Sequence, residues 1–123
     1  MRNPIGAGTF YSGTKEELNA ELDLLFQTDT EYFDDAKGII VPHAGYLFSG
    51  QVAAKVYKAI SGTKKRNFVI LGVDHYGTNV IATSGENWIT PVGTAKINLP
   101  FVEKITKEQG IIVDRISMEG EHS

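Results

Sequence analysis

At 123 residues, with 41% hydrophobic and 22% charged residues, the chain has the composition of an ordinary globular domain, which excludes a disordered or fibrous polymer. Lys and Arg number 12 against 15 Asp and Glu, a net charge of −3, and the one basic run, Lys64-Lys65-Arg66, reads as a solvated loop, so no nucleic-acid partner is expected. Cysteine is absent, as are a secretory h-region and an apolar stretch of about 18 residues; disulfides and thiol redox chemistry are excluded, and a cytoplasmic protein with no membrane partner is expected.

Pro4 to Gly13 carries three glycines and two aromatics without periodicity and reads as a loop. Thr14 followed by Glu17 is a capping-box pattern, and Leu18, Leu22, Leu25 and Phe26 then share one helical face, with Leu24 off that stripe. An acidic, turn-like stretch from Thr28 to Asp35 leads to a predicted core strand, Gly38 to Val41. Beyond Pro42-His43-Ala44-Gly45-Tyr46, the recurrence of Val52, Ala53, Val56, Tyr57 and Ile60 predicts a crossover helix capped by Ser49 and closed near Gly62.

Phe68 to Leu71 is a second predicted strand, running into the loop Gly72-Val73-Asp74-His75-Tyr76-Gly77. Val80 to Thr83 reads as a third strand, and Trp88 to Gly93 as an irregular connection in which Pro91 ends pairing, with Trp88 in the core. A short strand near Ala95 to Ile97, a helix from Pro100 to Gln109 with Asn98 as N-cap, and a strand at Ile111 to Val113 follow. The expected fold is one α/β domain over 1–123, a largely parallel central sheet with flanking helices. Glu119 to Ser123 stops without a terminal element, so the chain is expected to be the N-terminal part of a longer domain.

His43 and His75 each stand just beyond a short apolar run and are 32 positions apart, about one strand-helix-strand unit. Parallel strands in such a unit end on one edge, where ligands of open α/β sheets collect, so the two imidazoles are expected to converge there. A loop histidine alone is more often a hydrogen-bonded surface residue; the matched placement is what points to a site. Neutral imidazole binds divalent metal, and without cysteine the remaining donors in this chain are His, Asp and Glu, which favours iron, manganese or zinc. Asp74, Glu121 and His122 are the candidate third donors, and His122 is also a candidate acid–base catalytic group. Phe10, Tyr11, Tyr46, Phe48 and Tyr76 cluster in the same loops; packing explains them, and a pocket wall is the alternative. Phe10, Tyr46, Phe48 and Asp74 are accordingly the candidate ligand-binding residues.

The blocks Ala7-Gly8-Thr9-Phe10-Tyr11, Pro42-His43-Ala44-Gly45-Tyr46, Leu71-Gly72-Val73-Asp74-His75, Trp88-Ile89-Thr90-Pro91-Val92-Gly93 and Glu121-His122-Ser123 occur in the order seen in the MEMO family. Across essentially its whole length the chain resembles the N-terminal part of a MEMO-family protein. The resemblance implies an α/β fold like that of the class III extradiol ring-cleaving dioxygenases, with a metal-capable pocket at the strand ends. His43 and His75 match the two histidines of that pocket, and the family's third ligand, commonly a cysteine in animal members, comes from a C-terminal half that this chain does not contain. Glu121-His122-Ser123 matches the start of a longer block. Animal members are also described as binding phosphotyrosine peptides there, on an aromatic wall that maps to Phe10 and Phe48; the animal pattern has Trp and Tyr at those places, and this chain departs from it. Microbial members are often grouped with a radical-SAM protein and an AMMECR1-like protein, which implies a functional link to them.

Two functional readings follow. In one, a divalent metal, iron first with copper or zinc as alternatives, is held by His43, His75 and a donor absent here, and serves a redox or oxygen-using role on a small molecule. In the other, a binding module recognises a phosphorylated peptide or other anionic ligand through the same histidines and the backbone N–H groups near Gly50. In this chain alone the metal site is expected to be incomplete and can stand empty. A half-domain exposing a sheet edge is also expected to self-associate.

Overall fold

Thr14 begins the first helix. Its hydroxyl oxygen accepts from the Glu17 backbone N–H at 3.2 Å while its hydroxyl donates to the Glu17 carboxylate at 2.9 Å. A first-turn donor of α1 (Lys15–Leu25) is thereby satisfied, as the sequence pattern predicts. Leu18 is buried, Leu22 and Leu25 are half-buried, and Leu24, off the stripe, is exposed. The computed structural model describes residues 1–77, 79–108 and 110–121, which gather into two compact units: Gly6–Phe68, and Met1–Ile5 together with the described residues from Val69 onward.

In the Gly6–Phe68 unit, α2 (Tyr46–Ala59) lies against α1, and at Gly50 the approach is tight, since a Cβ there would stand 3.0 Å from the Leu25 Cδ1. Lys58, in the last turn of α2, donates from Nζ to the carbonyls of Phe26 at 3.0 Å and Thr28 at 2.6 Å. A cation thus meets the acceptors left over at the carbonyl end of α1. The helix begins three residues before the predicted cap Ser49. Gly45 takes the cap position without a side-chain bond, the Tyr46 N–H donates to the Phe10 carbonyl at 2.7 Å, and the Ser49 hydroxyl donates to the Ala44 carbonyl at 2.9 Å. A backbone acceptor brought in from the opening loop replaces the side-chain cap, and Gly45 admits it because any Cβ there would lie 3.1 Å from the Phe10 carbonyl oxygen.

The other unit contains β1 (Ala82–Thr83), β2 (Trp88–Thr90), β3 (Gly93–Ala95), α3 (Leu99–Glu108), β4 (Ile112–Val113) and α4 (Arg115–Glu119). β1 and β4 pair in parallel, Ala82 opposite Ile112 and Thr83 opposite Val113, which with the helices makes the class α/β, as predicted. β2 and β3 form an antiparallel hairpin, with Trp88 opposite Ala95 and Thr90 opposite Gly93. Residues 88–93 are therefore a hairpin rather than an irregular connection; Pro91 sits in the turn, where no ladder N–H is required. Met1–Ile5 joins its edge: the Arg2 N–H donates to the Asn87 carbonyl and the Ile89 N–H to the Arg2 carbonyl, both at 2.9 Å. Asn98 caps α3 by accepting from the Phe101 N–H at 3.2 Å, as expected, and Val102 is buried beneath the helix; Gln109, its predicted end, lies outside the described residues. Asp114 caps α4, accepting from the Ile116 N–H at 2.9 Å and the Ser117 hydroxyl at 2.5 Å.

Two predicted strands differ from expectation. Gly38 to Val41 and Phe68 to Leu71 carry no ladder, and Ile40 and Leu71 are 93% and 90% exposed. β-branched composition supplies a propensity, but a strand persists only where a neighbour takes its N–H and C=O groups and covers a face. Among the described residues neither run is paired in a sheet, and the parallel sheet is represented by the β1·β4 pair. Among the described residues, no helix is long and apolar enough to cross a membrane.

The Thr14 cap sets a stability expectation. Thr14→Ala should cost about 1 kcal/mol, read as a lower urea midpoint at unchanged slope.

Candidate functional site

His75 follows Asp74 in a loop that the Asp74 side chain shapes: its Oδ1 accepts from the N–H groups of Tyr76 at 3.1 Å and Gly77 at 2.9 Å. An aspartate bonding the backbone two and three residues on is the usual way a short loop is held, and Gly77 supplies the left-handed conformation the turn needs, φ +66°. Asp74 therefore acts first as the organiser of the histidine loop.

The partner of His75 is Glu121. One carboxylate oxygen, Oε1, accepts from the His75 backbone N–H at 2.8 Å, and the other, Oε2, lies 2.6 Å from the ring Nδ1. Glu121 is 8% exposed, which makes it, with Ser84, one of two buried polar residues among those described. Its carboxyl is held below the ordinary glutamate value, chiefly by the hydrogen bond with the His75 side chain, against an upward push from burial. The segment carrying it is itself fastened. The Arg2 guanidinium donates to the Glu121 carbonyl and lies over the Trp88 ring, 3.8 Å from its centroid. The Tyr76 hydroxyl donates to the Gly120 carbonyl at 3.2 Å, and a Cβ at position 120 would stand 2.8 Å from the Tyr76 ring. Glycine is what lets the two segments approach so closely.

In the Gly6–Phe68 unit, His43 is exposed in the turn that enters α2. Phe10 and Tyr46 come together through the Tyr46 N–H bond to the Phe10 carbonyl, and the Tyr46 ring packs 5.5 Å from that of Tyr11 at 39°. Burial of Tyr46, reinforced by Tyr11, Glu21 and Tyr57, pushes its hydroxyl pKa up, so it stays a neutral donor and acceptor. Phe48 is 84% exposed on the first turn of α2. Phe10 and Tyr46 thus share one cluster with Tyr11, while Phe48 stands open to solvent. His122 lies outside the described residues. Among the described residues no three His, Asp or Glu side chains gather as a metal-holding group. His75 offers an imidazole donor of the right chemistry, and a full ligand set is not assembled from these residues.

The sequence offers Glu121 only as a candidate third metal donor and Tyr76 only as one of the clustered loop aromatics, and it points to no role for Arg2 or Gly120. Their partners lie as many as 119 positions away, and the one available signal was the acid immediately before His122.

A family model described as Memo-like protein matches residues 2–123. The chain belongs to the Memo-like family. Among curated relatives, a MEMO1 family protein of Aquifex aeolicus is 41% identical over 125 residues, covering 100% of this chain and 46% of the relative. Those of Archaeoglobus fulgidus and Nitrosopumilus maritimus are 37% and 33% identical, again over 100% of this chain and 46% and 48% of the relatives. The chain spans about half the length of these Memo-family relatives.

The Glu121–His75 clasp makes stability depend on pH. A carboxyl whose folded value lies below its unfolded one adds stability that is fully present above the unfolded value, about 4.3 for glutamate, and is lost as pH falls through the folded value. Urea unfolding of the wild type should therefore weaken below about pH 4, and the gap between wild type and Glu121→Gln should close over that acid range.

Proposed function

We propose that this Memo-family chain contributes the histidine half of a divalent-metal site with a redox or oxygen-using role on a small molecule. His43 and His75 supply imidazole donors, and the set is completed by a donor from the part of the family fold beyond this chain. Iron is the first choice of ion, with copper or zinc as alternatives, since imidazole with oxygen donors suits all three. When bound, such an ion would supply Lewis-acid or redox chemistry.

The observation that carries the reading is the carboxylate at His75 Nδ1. Metal-ligating histidines almost always give their second ring nitrogen to a carboxylate, carbonyl or water. Tyr46, Phe10 and Phe48 would line the approach of the small molecule, and Asp74 would keep the His75 loop in shape. His122 is the proposed acid–base group.

Two features weigh against an anion at the same place. Glu121 adds negative charge beside His75, and Gly50, the proposed anion cradle, is the fifth residue of α2, its N–H committed to the helix. The Tyr46 N–H at the true start of that helix already serves Phe10. Cytoplasmic placement, and a working link to radical-SAM and AMMECR1-like proteins, belong to the same proposal.

Equilibrium dialysis with metal analysis tests it in the full-length protein carrying this sequence. The expected result is about one iron or copper per protein, lost in the double variant His43→Ala, His75→Ala. Retention of metal by that variant overturns the proposal, and phosphate-ligand affinity that survives chelation favours the anion-binding alternative.

A further inference from the structure

We propose that Glu121 is the positioning residue of His75: by taking the backbone N–H and the ring Nδ1–H together, it commits the imidazole to the Nδ1–H tautomer and makes Nε2 the ligating nitrogen. The inference deepens the metal reading and rests on it for what Nε2 does, while the tautomer follows from the clasp alone.

An ionised carboxylate has acceptors and no proton to give. At 2.6 Å from Oε2, Nδ1 must therefore be the donor. Neutral imidazole carries one N–H, so its lone pair lies on Nε2, and a lone pair is what a divalent metal needs. The same geometry argues that Glu121 is not itself a ligand. Both of its oxygens already accept from His75, at 2.8 and 2.6 Å, and turning one away to an ion would give up one of these charge-assisted bonds.

A positioning residue must be held more firmly than the group it positions, and Glu121 is held on both sides. Arg2, seated on Trp88, bonds the Glu121 carbonyl. Tyr76, next to His75, bonds the carbonyl of Gly120, where a Cβ would have to push the Tyr76 ring aside. Two anchors thus bracket the carboxylate, one from the start of the chain and one from the histidine's own loop.

Glu121→Gln is the discriminating change, because glutamine keeps the shape and offers one acceptor oxygen instead of two. If that oxygen serves the His75 backbone N–H, the amide NH2 points at Nδ1, and the ring satisfies it only by moving its proton to Nε2. Two-bond 1H–15N correlation spectra of labelled protein, followed upward in pH until the ring signals no longer move, read the tautomer directly, with His75→Ala assigning the signal. The wild type should show a protonated Nδ1 and an unprotonated Nε2, Glu121→Gln should shift His75 toward the Nε2–H form, and metal affinity should fall about 10- to 100-fold. A wild-type ring protonated at Nε2, or a tautomer that Glu121→Gln leaves unchanged, overturns the inference. The wild-type spectrum decides the matter even if the variant fails to fold. Should the tautomer behave as expected while wild type takes up no metal, the metal proposal falls and the positioning role of Glu121 stands.

Discussion

One buried carboxylate organises the described part of the site. Glu121 is almost wholly withdrawn from water, and a carboxylate in that position is tolerable only with its oxygens satisfied, because an unpaired buried charge costs several kcal/mol. His75 supplies both partners, from backbone and ring at once. The bond is reciprocal: the acid is kept ionised by the histidine, and the histidine is kept in one orientation by the acid. The Asp74 turn, the Gly120 approach and the Arg2 anchor can each be understood as holding one end of that pair in place.

The same logic explains why the loop is built from residues that look ordinary in sequence. Asp74 spends Oδ1 on the backbone of Tyr76 and Gly77, which fixes the path of the chain on leaving His75. Tyr76 then reaches back to the Gly120 carbonyl, so the loop and the segment bearing Glu121 are joined at two neighbouring points. Two attachments prevent the rotation that a single hydrogen bond would allow. A ring fixed in this way is pre-organised, and binding a ligand to it costs less ordering entropy than recruiting a mobile side chain.

What was legible in the sequence was local. The Thr14 and Asn98 caps are read from a side chain and the backbone three residues on, and both form as expected. The α/β class and its parallel pairing follow from alternating apolar runs and helical periods, although which strands pair does not, and the family was recognisable from short blocks of consecutive residues. What failed was non-local. The start of α2 depends on the carbonyl of Phe10, and the grip on His75 depends on a residue 46 positions away. The runs at Gly38 to Val41 and Phe68 to Leu71 have strand composition, yet a strand needs a paired neighbour, and among the described residues neither run is paired in a sheet. For the candidate site this meant that His43 and His75 could be picked out by position, whereas the residue controlling the chemistry of His75 could not.

The discontinuity of the second unit has a consequence for biosynthesis. Gly6–Phe68 is one continuous stretch and has its internal partners once residue 68 has left the ribosome, so its two helices can dock while translation continues. Met1–Ile5 is made well before its partners: the edge it joins contains Asn87 and Ile89, and its Arg2 side chain waits for a carbonyl 119 positions later. Closing so long a loop is slow relative to local helix formation. Met1–Ile5 thus acts as a latch that shuts only after position 121 has been made, and the histidine loop reaches its final form then rather than when His75 first appears.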